Sequence, residues 1–176
     1  KINRANKTIV RTSVQHASTQ ARLQTMKENS DLITGYQWVS TLDSKTSDQC
    51  TALDGMQFKV GEGPLPPIHP NCRSTTTPTL SSKFDFLDKG ATRSSKGDSG
   101  GKQVSTKETY FSWLKKQPVN FQADAIGPTR AKLLRNGGLT SDEFARLSLN
   151  RNFQPLTLAE MQKKAPNVFE MANVEL

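Results

Sequence analysis

Cysteine and histidine are scarce in this chain, which has Cys50, Cys72, His16 and His69 and no others. One disulfide is therefore the most it can form. No histidine occurs in residues 81–176, and the acidic residues there sit largely at helix starts, so that half holds no catalytic constellation. No apolar run approaches the roughly 18 residues of a membrane span. The first residues also lack the apolar core of a signal peptide, so nothing indicates a membrane. Aromatic residues are 7% and hydrophobic residues 34%, with a mean hydropathy of −0.62. That is polar for a globular chain, so some segments are expected to lie outside the core and complete their burial on partners. No long internal repeat is present. The chain begins at Lys1 without an initiator methionine, which reads as the carboxy-terminal part of something longer or as a processed product.

Acidic residues are also missing from the start: none precedes Glu28, whereas Lys1, Arg4, Lys7, Arg11, Arg22 and Lys27 all fall in that stretch. The chain as a whole carries a formal charge of +8, which favours an anionic neighbour. The surplus is +3 over residues 1–80, +2 over 81–105 and +3 over 106–176, so it is diffuse. The acid-free opening stretch is accordingly the candidate for phosphate contact with double-stranded DNA. With 176 residues, a chain can bury roughly 70% of its unfolded surface.

Three segments follow from the patterning. In residues 8–27, Val10, Val14, Ala17 and Ala21 recur at spacings of four, three and four, which predicts a helix with these residues on one face. "YQWVSTLDS" (36–44) reads as a strand, "TSDQCTALDG" as a short helix capped by Thr46 or Ser47, and "MQFKVGEG" as a second strand. After a proline loop, "CRSTTTPT" reads as a third strand. Residues 1–80 are thus expected to be an α+β core, a helix packed on a small antiparallel sheet. Residues 81–105 are rich in Ser, Gly and Lys and read as a linker or extended arm, its start pinned to the core by Phe84 and Phe86. Residues 106–176 read as a helical tail. Pro118 stops its first helix, Pro128 opens the next, and "LTSDEF" and "LTLAEM" each carry a capping box, Thr140 with Glu143 and Thr157 with Glu160. Pro166 is expected to bend or break the last helix.

The chemistry concentrates in "PPIHPNCRS". Ser47, Cys50, His69 and Cys72 fit the frame Ser-x2-Cys-x18-His-x2-Cys, the arrangement by which two short ligand pairs hold zinc, except that one ligand is serine. Three ligands suffice where water, or a carboxylate such as Asp43, Asp48 or Asp54, supplies the fourth. A Cys50–Cys72 disulfide is a second reading, worth roughly 3 kcal/mol for a loop of about 23 residues but requiring an oxidising compartment. A thiol activated by His69 is a third, and two buried thiols beside a backbone-bonded imidazole a fourth. Arg73, following the stiff turn, is placed to pair with Asp43 or Asp54 and staple the corner to the sheet.

Trp38, Ser40, Thr41, Leu42, Asp43, Thr46-Ser47, Cys50, Leu53-Asp54-Gly55, Pro66-Pro67 and His69-Pro70-Asn71-Cys72-Arg73-Ser74, with Arg11-Thr12 upstream, resemble the signature of the phage Mu F-like minor head proteins. The resemblance covers about residues 8 to 80. Segments of the tail, from "GGKQVS" and "IGPTRAKLL" onward, resemble those of some members through less specific motifs. It implies a non-enzymatic structural virion protein acting in head morphogenesis near the portal, with portal, capsid or scaffold proteins as partners. It also implies DNA as a companion, and a location in the phage head or, during assembly, in the host cytoplasm. Many members have cysteine at the positions of Ser47 and Ser74, a richer ligand set than the Cys50, His69 and Cys72 kept here. Two rivals stand beside this reading: a zinc-dependent hydrolase or nuclease built on those three residues, and a nucleic-acid-binding module built on the basic first helix.

Overall fold

The computed structural model describes residues 3–176. The chain divides into two compact units, one formed by Lys1–Ser40 with Gly55–Ala91 and the other by Thr41–Asp54 with Thr92–Leu176.

In the first unit, helix α1 spans Arg4–Glu28, with the Asn3 side chain accepting from the Ala5 amide. Three strands follow, β1 (Ile33–Val39), β2 (Gln57–Phe58) and β3 (Thr75–Leu80), in the antiparallel order β2-β1-β3. The register pairs Tyr36 with Phe58 and Trp38 with Thr76. Gly35 is required on β1, because a Cβ there would lie 2.3 Å from the Phe58 carbonyl oxygen. Trp38, Tyr36 and Met26 are fully buried. The Trp38 indole donates to Ser40 Oγ at 2.9 Å, which shares a hydrogen bond with Ser74 Oγ at 3.2 Å. The Tyr36 hydroxyl donates to the Glu62 and Pro64 carbonyls, and burial pushes its pKa up to about 12.

The expected helix on a small antiparallel sheet is present, but the helix faces the other way. Val10 and Val14 are each 60% exposed, and Ala17 and Ala21 are exposed as well. The inward positions are Thr8, Thr12, Gln15, Thr19, Arg22, Leu23 and Met26, most of them polar. They dock by hydrogen bonds. Gln15 Nε2 donates to the Ser74 carbonyl and Arg22 to Thr75 Oγ1, both at 2.6 Å. The Asn71 amide donates to Thr12 Oγ1, and its side chain to Thr8 Oγ1. Partners on β3 and the preceding turn satisfy Thr8, Thr12, Gln15 and Arg22, so these polar side chains face inward at little desolvation penalty. Phe86 on the 3-10 segment Ser82–Asp88 is 62% exposed and does not pin that segment to the core.

In the second unit, α2 (Asp48–Leu53) is capped by Ser47, whose Oγ accepts from the Cys50 amide. The Ser/Gly-rich stretch expected as an arm instead folds in part into a hairpin of β4 (Thr92–Gly97) and β5 (Gly100–Ser105), turning at Asp98-Ser99. Val104 is its only apolar side chain, so no hydrophobic alternation announces it. Backbone pairing, a Gln103–Ser94 hydrogen bond and the bond from the Lys96 amide to the Leu42 carbonyl hold it. Six short helices follow: α3 (Tyr110–Lys115), α4 (Val119–Ile126), α5 (Pro128–Asn136), α6 (Ser141–Leu147), α7 (Leu158–Lys164) and α8 (Pro166–Met171). Both predicted capping boxes form, and α7 ends just before Pro166, as the missing proline N–H requires. Tyr110, Phe111, Trp113, Leu114, Leu133, Phe144, Met161 and Phe169 make the core, with Phe111 and Phe144 edge-on at 4.9 Å.

Candidate functional site

The turn that raised the chemical question is tightly built. The Pro66-Pro67 peptide is cis, the Cys72 amide donates to the His69 carbonyl at 3.2 Å, and Asn71 takes the left-handed region at φ 57°. Asn71 tolerates that geometry, and its hydrogen bonds to Thr8 and Thr12 tie the turn to α1. His69 is half-buried, with Nδ1 2.9 Å from the Pro70 carbonyl oxygen, while Cys72 is buried. Cys50 lies buried on α2. Both cysteines are thiols, not a disulfide. Cys50 belongs to the second unit, and His69 and Cys72 belong to the first. Two sulfurs and an imidazole are soft donors of the kind that select zinc among common divalent ions.

Of the carboxylates and the arginine expected to staple this corner, Asp54 is buried and held in a bidentate pair by Arg93, at 3.0 Å on each nitrogen. Asp43 accepts from the Lys45 amide and from Thr46 Oγ1. Arg73 is exposed at the head of β3. Arg93 was not singled out by sequence reasoning. It sits in the polar stretch read as an arm, and no local signal connects it to a carboxylate 39 positions earlier.

The basic stretch is only partly a surface. Lys1 lies outside the described residues. Arg22 is turned inward onto Thr75, whereas Arg4, Lys7, Arg11 and Lys27 are exposed. Arg4, Lys7 and Arg11 follow at helical spacing and share one flank of α1. A cleft of about 410 Å³ separately opens between the hairpin and α3, lined in part by Lys102, Glu108, Trp113, Lys116 and Gln117. Lys116 there is paired with Glu108.

A basic helix laid on a three-stranded sheet, with a Cys/His turn leading into the last strand, defines a mixed α+β class. Residues 2–77 match the family model described as Phage Mu protein F like protein, and over this stretch the chain is similar to that family, in line with the resemblance carried by Trp38, Cys50 and the His69–Ser74 turn. No curated protein and no solved structure matches the chain. Among the described residues, no helix is long and apolar enough to cross a membrane.

Proposed function

We propose that the chain is a structural minor head protein of a tailed phage that acts near the portal, docking onto portal, capsid or scaffold proteins. The observation that carries this reading is the family match over residues 2–77, which takes in α1, β1, β2, the start of β3 and the Cys/His turn. Particles assembled with a tagged copy test it: a reconstruction should show the tagged chain near the portal vertex, and purified particles devoid of the chain would refute the reading.

Arg73, Asp43 and Asp54 are proposed to brace the corner. The exposed Arg4, Lys7, Arg11 and Lys27 are proposed to touch packaged duplex DNA. Each phosphate contact contributes a salt slope of about −0.9 on logarithmic axes, so neutralising these four should lower the slope by up to about 3.6.

The sequence frame of Cys50, His69 and Cys72 favours one addition, a zinc ion held in a bracing role. His69 Nε2 is then the ligand, with Nδ1–H donating to the Pro70 carbonyl and fixing the ring. Metal analysis of protein purified without chelator should find zinc near one equivalent, reduced by Cys72→Ser. Stoichiometric zinc accompanied by hydrolysis of DNA or peptide substrates would instead support the enzyme reading.

A further inference from the structure

The outer face of α1 carries an apolar seam with nothing laid on it among the described residues. Val10, Val14, Ala17 and Ala21 are all exposed, the two valines at 60% each. At 100° per residue they fall within about 40° of one line, opposite the inward row of Thr8, Thr12, Gln15, Thr19 and Met26. Scattered exposed apolar residues need no explanation, but here a helix buries its polar row and exposes its apolar one. The spacing of four, three and four is that of the d and a positions of a coiled coil, the pattern that accepts a second helix knob into hole.

The charges beside the seam indicate what that helix looks like. Lys7 and Arg11 flank it on one side and Lys27 on the other, and no acidic residue occurs before Glu28. We infer that this seam seats an amphipathic helix of another protein, one with an apolar stripe flanked by acidic side chains. A second copy would set the basic flanks of two α1 helices beside each other with no carboxylate to offset them until the far end. Duplex DNA at Lys7 and Arg11 would account for the charge but not for Val10 and Val14, which gain nothing against phosphates, so the seam itself calls for an apolar partner. The inference deepens the proposed head-assembly role by naming the docking surface and the partner's chemistry.

The test uses the full chain and two synthetic helices of about four heptads with Leu at a and d, one carrying Glu and the other Lys at e and g. Binding is followed by fluorescence anisotropy. The Glu-flanked helix should bind at least about tenfold more tightly than the Lys-flanked one, and added salt should narrow the gap. Val10→Asp with Val14→Asp should abolish binding while leaving the thermal transition unchanged, since both sites are exposed. Lys7→Glu with Arg11→Glu should reverse the preference and keeps the inference falsifiable if the aspartate variant unfolds. Equal binding of both helices, or of neither, overturns it. So does a dimer dissolved by the aspartates, or a duplex DNA complex with which the Glu helix does not compete. Loss of peptide binding would leave the virion reading intact, because that reading is decided by the chain's presence in particles.

Discussion

Removing Arg93 should cost far more than an average surface charge. Its guanidinium grips a carboxylate whose side chain is 0% exposed, is itself 12% exposed, and lies 3.0 Å from each Asp54 oxygen. It also donates to the Glu108 carbonyl. At an effective dielectric near 20, one such charge pair is worth about 5 kcal/mol before desolvation is subtracted. Arg93→Ala leaves the buried carboxylate without its guanidinium, a change that typically costs about 3–5 kcal/mol. Hydrogen exchange read by mass spectrometry suits a chain of two units, because peptides from the hairpin and α3 report on the second unit directly. Their slowest amides should exchange roughly 150- to 4,000-fold faster, at 1.4 kcal/mol per decade. The comparison is Asp48→Asn, which breaks the partly exposed Arg130–Asp48 pair at 3.1 Å and should cost no more than about 1 kcal/mol. Replacing Asp54 and Arg93 together by apolar residues should recover much of the loss. Equal, small effects of Arg93→Ala and Asp48→Asn would refute the reasoning.

Other perturbations follow from the same structure. Thr19 is buried, and its hydroxyl meets no hydrogen-bond partner among the described residues. Thr19→Val keeps the shape and removes the unsatisfied group, so denaturant unfolding should show a gain of about 1 kcal/mol. Thr140→Ala and Thr157→Ala should each cost about 1 kcal/mol in the same assay through loss of the cap. Those caps hold the Glu143 and Glu160 carboxyls below their usual range. The carboxylate's share of each cap is therefore present above the ordinary glutamate range and is lost as the pH falls through the lowered folded value, so the gap between each cap variant and the parent should narrow in acid. Tyr36, raised to about 12 by burial, has the opposite sign. Its contribution is complete below the unfolded tyrosine value and is lost as the pH climbs towards 12, about 3 kcal/mol in all. The rise in tyrosinate absorbance near pH 12 should be smaller in Tyr36→Phe.

The local grammar of the chain was readable without coordinates. Ser47 as a cap, the Thr140 and Thr157 boxes, Pro128 at a helix start and Pro166 at a break depend on neighbours three or four residues away, so adjacent residues carry the information. The motif from Trp38 to Ser74 was likewise legible as a family signature. By contrast, the hairpin at residues 92–105 has only Val104 to bury, and no periodicity test detects strands held by backbone pairing and polar cross-strand bonds.

What the sequence alone determined is the helix-and-sheet makeup of residues 1–80, the helices of the tail and their caps, all of them set by residues close together in the chain. Tertiary structure decided which side of α1 faces inward and which arginine meets Asp54. An amphipathic pattern marks two faces without saying which is covered. Thr12, Gln15 and Arg22 could turn inward only because distant acceptors and donors on Asn71, Ser74 and Thr75 were folded into reach.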